Sequence, residues 1–227
     1  MTLPFKMITE TDIEKYRAET FESKEPETIA WVESFGSLDI FYDIGANIGI
    51  YSLYFCSINR HGHVYSFEPS EKNYSRLYEN MKLNNFMNMS PLNIALSNRF
   101  GRSYFNEPSD ETGSSGGQIE TYQTGKTSVF TVDILSTLLP FPNHIKIDVD
   151  GQEDKIIDGM IYTISRPQVK SILVEFDTTT DNYLLHRERI IQCGFTTDNV
   201  FNGLKNHSRV RRAQEGIKCE NIIFTRG

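Results

Sequence analysis

Residues 39–58 read DIFYDIGANIGIYSLYFCSI. The first seven, DIFYDIG (39–45), form an apolar run that stops at a glycine, which predicts a buried strand. IYSLYFCSI (50–58) predicts an apolar helix, and the turn between them is rich in glycine. Strand, glycine turn and helix open a βα rhythm, and the rest of the chain repeats it.

HVYSFEP (63–69) predicts a second strand. SEKNYSRLYENMKLNN (70–85) predicts a helix capped by Ser70, with Tyr74, Leu77, Tyr78 and Met81 as its inward stripe. NMSPLNIALS (88–97) carries a third strand near residues 91–95. The rhythm pauses from 98 to 143, where SYF (103–105) and SVFTV (128–132) predict short strands. The Gly/Ser/Asp-rich stretch 106–118 between them is either a tolerated insertion or a lid facing substrate. The rhythm resumes with strand HIKIDVD (144–150), helix QEDKIIDGM (152–160) and strand SILVEFD (171–177). Helix DNYLLHRERIIQC (181–193) follows, capped by Gly194, and then strands FTTDNV (195–200) and ENIIFTR (220–226). Alternating strands and helices predict an α/β fold: a doubly wound, mostly parallel seven-stranded sheet, Rossmann-like. No full-length helix fits between the last two strands, so the final strand is expected to be antiparallel. Residues 1–38 predict a helical N-terminal extension ahead of a main domain at 39–227. It carries a capping-box pattern at Thr11–Glu14 and Trp31 as a core residue.

Composition narrows the class. The net charge of −7 over 227 residues speaks against a general nucleic-acid binder. Cys56, Cys193 and Cys219 lie far apart without a CxxC pair, which suits reduced thiols in a cytoplasmic protein. The N-terminus has no secretory pattern, and no apolar run approaches the roughly 18 residues of a membrane span.

The glycine turn restricts the ligand. A dinucleotide fingerprint needs G-x-G-x-x-G, but DIGANIG places Asn47 at its middle glycine and Gly49 one residue early. Asp43 adds a carboxylate where a pyrophosphate would be repelled. Glu68, 23 residues after Gly45, can accept both hydroxyls of a ribose. The combination suits a nucleoside with a cationic, zwitterionic tail, and S-adenosylmethionine fits. A nicotinamide-dependent oxidoreductase and a non-catalytic cofactor-binding module are the alternatives.

FYDIGANIGIYSL, HVYSFEPSEKNYSRLYENMKLNN, NIALSN, TVDIL, IKIDVDGQEDKIIDGM and ILVEF together resemble the FkbM-type methyltransferases, in family order across about 60% of the chain. The resemblance implies a class I, S-adenosylmethionine-dependent O-methyltransferase acting on hydroxyls of sugars, glycans or related natural products. It implies cofactor contacts at Asp43, Gly45, Ala46, Asn47, Glu68 and Ala95, Leu96 and Ser97; Gly49 and Pro69 flank these. Asp150 and Gln152 depart from the family pattern, which more often has Glu and a small residue there.

Methyl transfer to oxygen needs positioning, and a base or metal to relieve the hydroxyl of its proton. In HIKIDVD, Ile145, Ile147 and Val149 point one way while His144, Lys146, Asp148 and Asp150 point the other. In a parallel sheet those charges need a reason. Asp148 is the expected base or metal ligand, and Glu175 on the next strand could share Mg²⁺ or Mn²⁺ with it. Lys146 and Asp150 complete the catalytic candidates. The bland alternative is a Lys146–Asp148 ion pair with Asp150 capping the next helix. His144, at the strand's amino end, is expected to be structural. Lys205, Arg209, Arg211 and Arg212 make 203–216 strongly basic, either a solvated face or a clamp for an anionic acceptor.

Overall fold

The computed structural model describes residues 3–107, 109–120, 125–204 and 219–226. Three helices lead: α1 (Asp12–Glu19), α2 (Phe21–Lys24) and α3 (Pro26–Glu33). The Thr11 hydroxyl accepts from the Glu14 N–H while Glu14 accepts from the Thr11 N–H, so the capping box starts α1. Pro26 opens α3, where a missing N–H leaves no hydrogen bond unmade.

The βα rhythm follows: β1 (Ile40–Ile44), α4 (Ile50–Ile58), β2 (His63–Phe67), α5 (Glu71–Asn84) and β3 (Met89–Leu92). An interlude of short strands holds β4 (Ala95–Leu96), β5 (Gly101–Ser103), β6 (Phe105–Asn106), β7 (Gln118–Ile119) and β8 (Thr127–Phe130). Then come α6 (Val132–Leu138), β9 (His144–Ile147), α7 (Glu153–Asp158), α8 (Ile161–Ile164), β10 (Ser171–Asp177), α9 (Asp181–Gln192), β11 (Phe195–Thr196) and β12 (Cys219–Arg226).

Seven strands form the main sheet in the order β11-β12-β10-β9-β1-β2-β3. All pairs from β10 to β3 are parallel, and β12 runs antiparallel to both neighbours. The reversed strand is therefore the last one, as expected. From β1 the chain winds outward to β3, then returns to β9 on the other side of β1. The carboxyl ends of β1 and β9 are thus the switch point, where a crevice opens in such sheets. One face of the sheet, with Tyr42, Ile44, Ile145, Ile147, Ile172 and Val174, packs under α6–α9. The other, with Phe41, Val64, Leu173 and Ile223, packs under the N-terminal helices, α4 and α5.

Several local expectations need correction. The strand expected at 128–132 ends at Phe130, where Thr131 caps α6, and the strand expected to reach Asp150 ends at Ile147. On α5 the buried residues are Asn73, Leu77 and Asn80, while Tyr78 is exposed. Asn80 turns inward because its amide serves backbone groups, donating to Ile48 O and accepting from Ile8 N–H. The single third strand is two, since β4 leaves the main sheet to pair with β8. The strand at 195–200 stops at Thr196. Beyond it, Asn202 accepts from Ile223 N–H and donates to Ile223 O, and a 3-10 turn spans Phe201–Leu204. One side-chain amide thus stands in for the missing strand neighbour. The basic stretch from Lys205, with Arg209, Arg211 and Arg212, lies outside the described residues.

Candidate active site

Gly45 sits at φ +77°, and a Cβ there would lie 1.9 Å from the Asp148 carbonyl oxygen. Only glycine lets the β1 and β9 turns meet this closely. Asn47 is also left-handed, at φ 52°, and its side-chain oxygen accepts from Ile48 N–H at 2.9 Å. That conformation aims the Asn47 N–H at Glu68 Oε2, 2.8 Å away, while Ser70 N–H donates to Oε1 at 2.9 Å. Two amides thus clamp a buried carboxylate at the end of β2. Burial pushes its pKa up to about 7, against the two amides and the Arg17 charge.

These residues open onto a cavity at the switch point between β1 and β9. Gly45, Asn47, Glu68, Pro69, Ser70 and Asn73 form one wall. Phe105, Glu107 and Ser114–Gly117 form the second, and Asp148–Asp150 the floor. Four carboxylates line it (Glu68, Glu107, Asp148 and Asp150), and no lysine or arginine does so among the described residues. Lys72 and Lys146 reach Glu107 and Asp148 from behind, at 2.8 and 2.9 Å. Such a lining repels phosphate and favours a cationic ligand.

The edge of β9 is the most charged part of the interior. Lys146 is 2% exposed, with Nζ 2.9 Å from Asp148 Oδ2, 3.8 Å from Asp43 Oδ1 and 5.2 Å from the centre of the Tyr51 ring. Burial opposes the Lys146 charge. Asp148, Asp43 and Glu25 outweigh it and hold the ammonium above its ordinary pKa. Beyond β9 the turn is strained: Asp150 (φ 57°) and Gly151 (φ 112°) are both left-handed. Asp150 Oδ2 accepts from Gly116 N–H at 2.8 Å. Glu153 folds back to accept from Val149 N–H and Gly151 N–H, and burial pushes its pKa up to about 7.

This geometry agrees with the comparisons to known proteins. The model of the methyltransferase FkbM domain matches residues 43–197.

The chain belongs to this family.

An FkbM methyltransferase from Methylobacillus flagellatus shares its fold at a TM-score of 0.54 and 16% identity, over 80% of this chain and 46% of that one. A precorrin-6y C5,15-methyltransferase from Geobacter metallireducens does so at 0.51 and 13%, over 97% and 93%. The hexuronic acid methyltransferase AglP of Haloferax volcanii is 29% identical over 147 residues, 63% of this chain and 58% of that protein. The chain thus spans little more than half the length of that relative. Membership in an FkbM methyltransferase family, with an acidic cavity, removes the nicotinamide alternative.

The fold gathers some of the predicted residues and disperses others. Gly45, Asn47, Glu68, Pro69, Asp148 and Asp150 line the cavity. Asp43 does not: the pleat of β1 turns it into the interior, 1% exposed, where Ser52 donates to it at 2.6 Å and Lys146 lies alongside. Burial raises its pKa against both neighbours. Ala46 packs in the core. Gly49 serves packing, since a Cβ there would meet Leu77 Cδ1 at 2.3 Å. Ala95, Leu96 and Ser97 are buried away from the cavity, held by β8 through the Ser97 N–H to Phe130 O bond. Asp150 binds Gly116 rather than capping α7. Glu175 is buried beside Asp148, one step beyond the Val174–Ile147 pair. Among the described residues no group of three or more His, Cys, Asp or Glu is arranged to hold a metal. The Lys146 ammonium against Asp148 does not fit a Mg²⁺ or Mn²⁺ site.

The sequence leaves 106–118 open between a tolerated insertion and a lid facing substrate, and the fold places Glu107 and Ser114–Gly117 of that stretch in the second wall. Its only signal was the Gly/Ser-rich composition of 106–118. Here Ser114–Gly117 fold over the glycine turn, with Ser114 O accepting from Asn47 Nδ2 (2.8 Å) and Asn73 Nδ2 (3.1 Å). No described helix is long and apolar enough to cross a membrane.

Proposed function

We propose that this methyltransferase uses S-adenosylmethionine to methylate a hydroxyl of a sugar, glycan or related natural product. The observation that carries the reading is the clamped Glu68 facing an all-acidic cavity beside the Gly45 turn. A carboxylate offers about four acceptor positions, and the two amides take only two, leaving capacity for the hydroxyls of a ribose. The acidic lining suits a sulfonium and an ammonium. When bound, the cofactor supplies an electrophilic methyl whose sulfonium is a good leaving group.

The remaining requirement is a group to take the acceptor's proton as attack proceeds. Asp148 stands at the cavity floor, 2.9 Å from the Lys146 ammonium, and fills that role. A carboxylate paired to an ammonium is a modest base, so positioning carries much of the barrier reduction. In this reading residues 39–227 are the methyltransferase domain and 1–38 an extension. The likeness to a hexuronic acid methyltransferase supports a sugar acceptor. The basic 203–216 stretch suits an anionic one.

The test is methyl transfer from labelled S-adenosylmethionine to a panel of neutral sugars, uronic acids and glycan fragments, with and without EDTA. Transfer to a sugar hydroxyl is expected, undiminished by EDTA. Asp148→Asn should lower kcat about 10²- to 10⁴-fold while S-adenosylhomocysteine still binds. Full activity in Asp148→Asn, or no binding of S-adenosylhomocysteine to the wild type, would sink the proposal.

A further inference from the structure

The second wall of the cavity does not stand alone. Its first residues are held from outside by the N-terminal helix. Thr11 Oγ1 donates to Thr112 O and Arg17 Nε to Gly113 O, each at 3.0 Å. Gly113 is left-handed, at φ +87°, and a Cβ there would meet Ile13 Cγ2 at 3.3 Å, so the loop runs close against α1. On the inner side, Asn73 Oδ1 accepts from Gly113 N–H at 2.8 Å and Asn73 Nδ2 donates to Ser114 O. The helix is fixed in turn, because Glu14 is fully buried and pairs with Arg76 of α5 at 3.2 Å. Thr112 and Gly113 therefore sit between α1 and α5, and the residues that follow them line the cavity.

We infer that α1 belongs to the cofactor site, with Arg17 as a positioning residue that holds the Ser114–Gly117 wall over the glycine turn. This rests on the cofactor reading above. Arg17 touches no cavity surface. It acts through the Gly113 carbonyl, and its guanidinium also favours the ionised form of Glu68. Without it the loop keeps its bonds to Asn73, Asn47, Asp150 and Thr11 but loses the guanidinium that braces Gly113 from outside. Part of the ligand's binding free energy then goes into ordering the wall. Lys15, on the same helix, pairs with surface Asp12 instead.

The test is calorimetric titration of the full chain with S-adenosylhomocysteine, which needs no acceptor. Arg17→Gln should weaken binding about five- to tenfold with an unchanged thermal midpoint, the net scale of one intramolecular hydrogen bond. Arg17→Lys, which keeps the charge but not the Nε geometry, should fall between. Lys15→Ala should bind like the wild type. Faster amide exchange at Gly113 and Gly116 in Arg17→Gln would trace the effect to the wall. Affinity within twofold of wild type in Arg17→Gln overturns the inference. So does loss of folding in both Arg17 variants, which would make the role purely structural. If the wild type binds no S-adenosylhomocysteine, the cofactor reading itself falls, a result distinct from both.

Discussion

At the scale of single residues, the decisive group is Glu68. Burial pushes its folded pKa up to about 7 from an ordinary 4.5, with consequences of both signs. Between those values the folded protein without ligand binds more protons than the unfolded chain. Stability from this group therefore falls as pH rises through the window, by about 3 kcal/mol at about 1.36 kcal/mol per unit. On the proposed function ligand binding runs the other way, because the hydroxyls of a ribose would donate to the ionised carboxylate. S-adenosylhomocysteine affinity should thus drop nearly tenfold per unit as pH falls from 7 to 5, and titrations across that range check it. Glu68→Gln should bind weakly but with a flat pH profile. A steep profile in that variant would move the titrating group elsewhere. The place of Glu68 at the cavity was legible in the sequence because strand length and turn fix where a strand's last side chain goes. The place of Asp43 was not. Two residues before Gly45, it belongs to the strand's pleat, and its partners Ser52 and Lys146 come from an adjoining helix and strand.

At the scale of elements, the cavity depends on two turns that touch, β1 into α4 and β9 into α7. Gly45→Ala would drive a Cβ into the Asp148 backbone, which no rotamer change relieves. A stability loss of about 3 kcal/mol is expected, with S-adenosylhomocysteine binding abolished. Gly49→Ala meets the tip of the Leu77 side chain, which can shift, but it also holds an alanine at φ +93°, a strained conformation. That variant should lose about 1–2 kcal/mol and keep its affinity. Urea denaturation and calorimetry on the pair separate a glycine that shapes the site from one that packs a helix. The long elements, such as α4 and β10, were readable because a sustained apolar run of that length fits few other places in a fold. The two-residue strands were not, because a pair of residues carries no period. The end of β11 was hidden for another reason: Asn202 imitates a strand with its side chain, which no backbone pattern announces.

At the scale of the whole molecule, the N-terminal helices and the sheet are joined at both ends of the strands. At the carboxyl end, Tyr51 of α4 donates to Glu25, and its ring lies beside Lys146. At the amino end a chain of bonds runs from α3 across three strands' entries. Trp31 Nε1 donates to Ser171 Oγ at 2.7 Å, so the Ser171 hydroxyl is free to donate to His144 Nδ1, also at 2.7 Å. His144 Nε2 then carries the proton and donates to Asp39 at 2.9 Å, which Lys170 also holds. This polarity requires a neutral imidazole. Burial, lowering the His144 pKa, supplies it, and Phe35 stacks on the ring at 3.6 Å. The expectation that His144 is structural thus acquires a specific content: it relays α3 to the sheet. Trp31 is fully buried at the head of that relay. Trp31→Ala should cost about 3–5 kcal/mol and shift the urea midpoint with an unchanged slope, since the helices and sheet unfold together. If the extension were instead a separate unit, the same variant would show two transitions, the later one at the wild-type midpoint. A single shifted transition would mean that the helix framing the cavity is held in place by the same core that holds the strands.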